Sequence, residues 1–303
     1  MSSPASINEA LKLGLQVNLG ACGVLGLILN SIVIWVLMRK LKRSNTDIQI
    51  CKFVAISDTL VSCGLLFRSI FTVYPYNILQ VHPNWCKFDA LITNQGINCS
   101  GIILGIMSIE RFLLICYNIK LSIKFWLVLL ISIIILCFSL LIVCIINDKQ
   151  FLTQLEVSCS VKSIGGCYYG FLGTTIFFFA AFTTVVISYV GIMLFKVKQC
   201  LNQLNLNIPK DRVYLELRST LLKSLSYILL YITVFSGKFY TLSYIIITGQ
   251  NRTLAMDIWQ QSLISWSPIA NAVILLYMNN EVREAFTNHL KNLKLKVFNL
   301  NNY

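Results

Sequence analysis

Residues 101–112 read Gly101-Ile102-Ile103-Leu104-Gly105-Ile106-Met107-Ser108-Ile109-Glu110-Arg111-Phe112. The stretch is apolar until it meets Glu110-Arg111, a charge pair that is costly inside an apolar helix unless the charges are paired or face a cavity. Followed in both directions, the apolar run covers about 86–117, longer than the roughly 20 residues a helix needs to cross the hydrocarbon layer. Further runs of this kind lie at about 14–38, 50–74, 122–146, 168–195, 221–248 and 258–278. They lack the short alternating strands of a membrane barrel. Of the 303 residues, 56% are apolar and 12% charged, and mean hydropathy is +0.72; soluble chains carry about 25% charged residues. These values exclude a disordered chain, a fibrous repeat and an ordinary cytosolic domain. The expected fold is an all-α membrane protein, a bundle of seven transmembrane helices.

The 25 Lys and Arg outnumber the 12 Asp and Glu, for a formal charge of +13. Their placement decides what the excess means. One set of segments carries Arg39, Lys40, Lys42, Arg43 and Lys52; then Arg111, Lys120 and Lys124; then Lys196, Lys198, Lys210, Arg212, Arg218 and Lys223; then Arg283, Lys291, Lys294 and Lys296. The alternate set carries Lys12, Arg68, Lys87, Lys149, Lys162, Lys238 and Arg252. The positive-inside rule puts the richer set in the cytoplasm, with the N-terminus outside and the C-terminus inside. Charges divided among separate patches do not make a nucleic-acid surface. They suit anionic lipid heads and an acidic or amphipathic protein partner. Residues 1–16 lack a basic region followed by a cleavage site, so the first span is expected to act as its own insertion signal. Beyond Asn279, Val282, Ala285, Phe286, Leu290, Leu293 and Val297 share a helical face with basic residues around it, the pattern of a helix lying in the membrane interface; a disordered basic tail is the alternative. The chain divides into the bundle, 1–279, and a cytoplasmic amphipathic eighth helix and tail, 280–303.

Within this frame particular residues stand out. Cys86 opens the third span, 25 residues before Arg111, and Met107-Ser108-Ile109-Glu110-Arg111-Phe112 closes it. Together they resemble the third helix of rhodopsin-like (class A) G protein-coupled receptors, in which an outer Cys is followed at that spacing by an acidic residue, Arg and an aromatic. Gly26-Leu27-Ile28-Leu29-Asn30-Ser31-Ile32-Val33 is similar to that family's first helix, and Ala55-Ile56-Ser57-Asp58 to its second. Asn271-Ala272-Val273-Ile274-Leu275 resembles the N-P-x-x-Y segment that runs into the eighth helix, and Tyr189 the inner tyrosine of the fifth. The resemblance runs from Gly26 to about Phe286; each motif is weak alone, and the set is specific by order and spacing. Departures mark a divergent member. Ala272 replaces the Pro and Leu275 the Tyr of N-P-x-x-Y, and Pro268 is expected to kink the seventh helix a turn earlier. The sixth span has Ile232-Thr233-Val234-Phe235-Ser236-Gly237 in place of C-W-x-P, Trp126 lies near the inner end of the fourth, and the fifth lacks its Pro.

The resemblance implies a set of roles. Cys86 bridges the second outer loop, with Cys159 favoured over Cys167; the remaining cysteines read as small apolar packing residues rather than metal ligands. Asp58, Ser100, Ser267 and Asn271 form a sodium site, or, with Asn30, a hydrogen-bonded core network without an ion. Arg111 is latched by Glu110 and by Glu216, close to Tyr189, and is freed on activation; a static pair at the membrane interface is the plainer alternative. Thr93, Asn94, Ile97, Gln261 and Ser265 are candidates for the ligand pocket, with ordinary helix packing as the alternative for each. Thr93 stands where amine receptors carry Asp, and Ser265 where opsins carry the retinal Lys, so neither a biogenic amine nor retinal is expected. Lys238 is the nearest other amine, on the wrong helix. Asn251-Arg252-Thr253 is a glycosylation acceptor; Asn98-Cys99-Ser100 matches but lies within a span.

The implied function is a plasma-membrane receptor that converts binding of an extracellular ligand into activation of a heterotrimeric G protein. The altered sixth- and seventh-helix motifs keep open a receptor-like protein that has lost coupling. A transporter would show internal repeats or several intramembrane charges along a path, and Asp58 is the one charge read near mid-membrane. An intramembrane enzyme would need paired carboxylates or His/Cys clusters within the spans, so no enzymatic activity is expected.

Overall fold

The computed structural model describes residues 4–39, 46–162, 165–206 and 209–300. Lys40, Lys42 and Arg43, part of the first basic segment, lie outside them, as do the side chains of Leu290, Leu293 and Val297. The helices are α1 (Pro4–Arg39), α2 (Thr46–Phe71), α3 (Ile78–Val81), α4 (Pro83–Asp89), α5 (Gln95–Tyr117), α6 (Ile123–Ile146), α7 (Cys167–Asn205), α8 (Lys210–Thr248), α9 (Leu254–Ile264), α10 (Ser267–Met278) and α11 (Asn280–Leu300). A π-helical turn, Ala90–Asn94, joins α4 to α5, so the third span runs unbroken from Pro83 to Tyr117. Among the described residues six helices are long and apolar enough to cross a membrane. The seventh span is made of two shorter pieces, α9 and α10.

The break follows from Pro268. Proline has no N–H to close a helical hydrogen bond onto Ile264, and its ring crowds the preceding turn. The helix therefore stops at Ile264 and restarts at Ser267 with the proline in its first turn, where a missing donor costs nothing. Ala270 N–H then bonds the Trp266 carbonyl, 2.9 Å. The kink expected from the sequence is an interruption of the helix at Ser265–Trp266.

α5 sits at the centre and packs against α2, α6 and α7; α1 lies along α2, and α8 is clamped between α7 and α9. The core is apolar and aromatic: Leu37, Leu65, Leu104, Met107, Tyr231 and Phe235 are all buried. The opposite surfaces are just as apolar. Val128, Ile135 and Ile146 on α6, Leu194 on α7 and Ile247 on α8 are largely exposed. In water such a belt would be an aggregation surface, whereas against lipid tails it costs nothing. Helix pairs approach closely where one side chain is only a hydrogen. A Cβ on Gly237 of α8 would stand 2.8 Å from Gln260 Cα and 3.3 Å from the Trp259 carbonyl oxygen.

The loop between α6 and α7 is not featureless. It folds into a hairpin, β1 (Gln150–Leu152) antiparallel to β2 (Cys159–Val161), with Leu152 opposite Cys159. Cys159 is bridged to Cys86 on α4, and the two Cα atoms are 5.4 Å apart. Cys167 begins α7 as a free thiol, so of the two loop cysteines the structure selects Cys159. At the far end of the bundle the chain turns out of α10 through extended Asn279, and α11 follows. Val282 is buried, Ala285 and Phe286 are half-buried against the core, and the His289 ring lies 3.9 Å from that of Trp35.

Gly237→Ala is expected to push α8 off the α9 backbone and to cost about 1–3 kcal/mol, the usual range for overpacking. Thermal unfolding of the protein in detergent checks this, with Gly14→Ala as the control, since nothing lies within 4 Å of a Cβ at Gly14.

Candidate functional site

Polar and charged side chains gather at three levels of the bundle. The first is at the disulfide end. Arg68 of α2 points its guanidinium at Asp89, the last residue of α4, with Nε donating to Oδ1 at 2.7 Å and Nη2 to Oδ2 at 3.1 Å. Both side chains are 0% exposed. Arg68 also donates to Asn94 Oδ1 at 3.0 Å and to Gln261 Oε1 at 3.4 Å. Asp89 accepts the backbone N–H of Cys159 at 2.8 Å, Asn94 Nδ2 donates to the Cys159 carbonyl, and Gln261 Nε2 donates to Ser158 Oγ at 3.2 Å. A buried ion pair offsets its desolvation only when such additional bonds satisfy it. Here those bonds tie α2, α4, the π turn and α9 to the strand that carries the disulfide.

Beside this hub lies a cavity of about 410 Å³, reached by α5, α6, α7, α8 and α9 and bordered by the hairpin. That size suits a small molecule. Leu141, Phe171, Phe178 and Leu242 give it apolar walls, and Asn94, Gln95, Asn98, Lys238 and Arg252 a polar side. Of the expected pocket residues, Asn94 and Gln261 line it. Thr93, Ile97 and Ser265 do not, for identifiable reasons. Thr93 lies in the π turn, which shifts the facing of its residues from that of an unbroken helix, and it fills a notch at Gly64 where a Cβ would collide with it. Ile97 is buried in the core. Ser265 is at the break in the seventh span, where its hydroxyl accepts from Asn18 at 2.8 Å and donates to the Ser262 carbonyl at 2.8 Å. Asn251 is exposed in the loop between α8 and α9, at the rim of the cavity.

The second level is mid-bundle. Asp58 Oδ1 accepts from Ser100 Oγ at 2.6 Å and from Asn271 Nδ2 at 3.2 Å, and Asn271 also donates to Ser100 at 2.9 Å. All three are buried. Asn30 is nearby in role but bonded elsewhere, donating to the carbonyls of Gly26 and Pro268. Asp58 Oδ2 and Ser267 Oγ are buried and without hydrogen-bond partners.

The third level is at the opposite end of α5. Arg111 forms a two-pronged pair with Asp47 of α2, Nε to Oδ1 at 2.9 Å and Nη2 to Oδ2 at 3.1 Å, and its Nη1 donates to the Tyr189 hydroxyl at 3.0 Å. Asn279, where α10 gives way to α11, also donates to Asp47, at 3.3 Å. The expected latch partners are elsewhere. Glu110 is buried with Oε2 unpartnered, and Glu216 is exposed on α8 with no ion pair among the described residues. Adjacent residues on a helix point about 100° apart, so Glu110 and Arg111 do not face one another. From Tyr189 a file of buried rings runs back toward the cavity: Tyr189–Tyr227 with centroids 4.2 Å apart, then Tyr231, Phe235 and Phe178.

The sequence reading missed Arg68, Asp89 and Asp47. The signal was present: an Arg and an Asp lie inside apolar runs, and one Asp starts a span amid basic residues. Which charge meets which depends on helix rotation, which spacing does not give. In the loops, Lys87 holds the exposed Asp148 carboxyl below its ordinary range through a hydrogen bond and its charge, and burial pulls Arg252 down from its ordinary value against the opposing charge of Asp257. The ion pairs are 2.6 Å and 2.7 Å long.

No family model matches this chain. Its fold is similar to that in a crystal structure of squid rhodopsin, with a TM-score of 0.68 and 15% identity, over 94% of this chain and 86% of that one. At that identity the likeness shows the arrangement of helices.

Removing one member of the Arg68–Asp89 pair leaves an uncompensated charge. Asp89→Leu is expected to cost about 3–5 kcal/mol, and Arg68→Met with Asp89→Leu together to recover most of that loss. Denaturation midpoints of the three proteins in one detergent decide it; a double variant no better than the single one contradicts the pairing.

Proposed function

We propose that this protein is a plasma-membrane receptor, N-terminus outside, that binds an extracellular ligand in the cavity at the disulfide end and activates a heterotrimeric G protein from the Arg111 end. The observation that carries the reading is Arg111, a buried guanidinium at the end of α5 that bonds to Asp47 of α2 and Tyr189 of α7, at the opposite end of the bundle from the cavity. An ion pair of this kind is a two-state element that a ligand can bias. When α2 and α7 draw away from α5, Arg111 exchanges Asp47 and Tyr189 for an incoming α-subunit helix. The ring file from Phe178 to Tyr189 supports communication between the ends. Lys196, Lys198, Lys210, Arg212 and Lys223, at the Arg111 end of α7 and α8, support an inward orientation. The disulfide at the other end suits an oxidising exterior.

The mid-bundle level suits a sodium ion. Hard cations take oxygen ligands, and Asp58 Oδ2 and Ser267 Oγ are orphaned acceptors in a buried setting. Asp58, Ser100, Ser267 and Asn271 would hold the ion, whose charge would offset the carboxylate. A second reading, a receptor-like protein without coupling, is favoured by Ala272 and Leu275, which remove the Pro and Tyr from the seventh-helix motif.

The two readings separate in cells carrying G protein activation sensors. Asp47→Ala is expected to raise basal activation by freeing Arg111, and Glu110→Gln to raise it less, since Glu110 makes no bond to Arg111. Arg111→Ala is expected to abolish activation at unchanged surface expression. The bias involved is about 1–3 kcal/mol, the usual size of such couplings. If Asp47→Ala and Arg111→Ala both leave signalling as it was, in cells where the native protein responds, the switch is not at Arg111.

A further inference from the structure

Cations inside a membrane bundle are expensive and normally sit against a counter-charge. This chain follows that pattern at Arg68 with Asp89, Arg111 with Asp47 and Arg252 with Asp257. Lys238 departs from it. It lies in the last third of α8, half-buried on the cavity wall, and among the described residues it has no carboxylate partner. Its ammonium donates to Asn98 Oδ1 and stands 4.8 Å from the centre of the Phe178 ring. Two neutral contacts hold the charge in place without cancelling it, and an ammonium has further protons to give.

The neighbouring groups are short of acceptors as well. Asn98 turns its Nδ2 to Gln95 Oε1 at 3.0 Å, so the Gln95 oxygen is occupied. Gln95 Nε2 is then left as a buried donor with no acceptor, on a residue that is 1% exposed and lines the cavity. An unmet buried donor is itself costly. Lys162 and Arg252 also border the cavity, and Asp257, the one carboxylate on its lining among the described residues, is paired with Arg252 at 2.7 Å. The polar side of the cavity thus has a surplus of positive charge and of unfilled N–H donors. The rest of the lining, including Leu141, Phe171 and Leu242, is apolar.

Resting on the receptor reading, we infer that the cavity takes a small organic anion with an apolar body, its carboxylate or phosphate head seated against Lys238 and Gln95 and its body along Phe171, Phe178 and Leu242. The head supplies the acceptor oxygens that both side chains lack, and Arg252 adds attraction from the loop side. Charge-assisted bonds of this sort are stronger than neutral ones. An alcohol of the same length would fill the apolar part and leave Lys238 unmatched, and an amine would be repelled.

The test is direct binding, by calorimetry and thermal stabilisation, to the purified protein in nanodiscs of zwitterionic lipid. The probes are decanoate, decyl phosphate, decanol and decylamine. Decanoate, decyl phosphate or both are expected to bind and stabilise; the two arms tell a carboxylate head from a phosphate head. Decanol and decylamine are expected to do neither. Lys238→Met is expected to weaken anion binding by about tenfold or more, with Lys238→Arg retaining it. Gln95→Leu gives a second, uncharged reading of the same seat should Lys238→Met fold poorly. Binding of the alcohol or amine as tight as that of the anions, no binding by either anion, or unchanged anion affinity in both Lys238→Met and Gln95→Leu overturns the inference. Because no G protein takes part, anion binding with silent activation sensors would sink the coupling proposal and leave this one standing.

Discussion

A charge within a lipid-embedded bundle must find its counter-charge inside the protein, and that constraint organises this molecule. Arg68 and Asp89 meet it at the disulfide end with both side chains fully removed from solvent. Their bonds to Asn94, Gln261 and the Cys159 backbone fix where the hairpin sits. The disulfide and the ion pair therefore act on the same few residues: one ties Cys159 to α4 covalently, the other holds its backbone N–H against Asp89. Together they set the edge of the cavity. Apolar packing between helices could not do this alone, since lipid tails are as apolar as the side chains they replace.

The same constraint operates at the Arg111 end with a different balance. Asp47 takes both prongs of Arg111 yet remains partly exposed, and Tyr189 adds a single neutral bond. The pair at the disulfide end is sealed; the pair at the Arg111 end has a side open to solvent. A rigid clamp at the disulfide end and a looser one at the Arg111 end are what a bundle needs if movement is to be confined to one end. The interrupted seventh span adds to this. With no Pro268 N–H to bond across the break, α9 and α10 are joined by few backbone bonds, and α10 carries both Asn271 at mid-bundle and the Asn279 turn that touches Asp47.

Between the ends, polar groups are sparse, and several buried ones have no hydrogen-bond partner. Among them are Asp58 Oδ2 and Ser267 Oγ at mid-bundle and Gln95 Nε2 on the cavity wall, besides Asn30 Oδ1, Thr93 Oγ1, Glu110 Oε2 and Tyr227 Oη. In the proposed reading, Asp58 Oδ2 and Ser267 Oγ would serve a cation. Gln95 Nε2 is a donor beside Lys238, where the proposed anion would sit. The two proposed sites would thus take opposite charges at two depths of the bundle.

By itself the sequence determined the number of spans, a kink near Pro268, the presence of α11 and the cluster of Asp58, Ser100 and Asn271. These follow from run length, from the chemistry of one imino acid, and from polar residues whose spacing along helices survives errors of a turn. It placed Cys86 correctly and preferred Cys159, because a thiol in a polar loop is freer to reach a partner than one at the head of a helix. It did not reveal that Arg111 faces Asp47, that Arg68 faces Asp89, or that Lys238 faces no carboxylate among the described residues. Thr93 and Ser265, read as pocket residues, turned away because a π turn and a helix break shifted their facing. Partner choice depends on the rotation of each helix about its axis. Rotation is set by packing against every neighbour at once, such as Thr93 in the Gly64 notch or α8 against the α9 backbone at Gly237, and only the tertiary structure contains that sum.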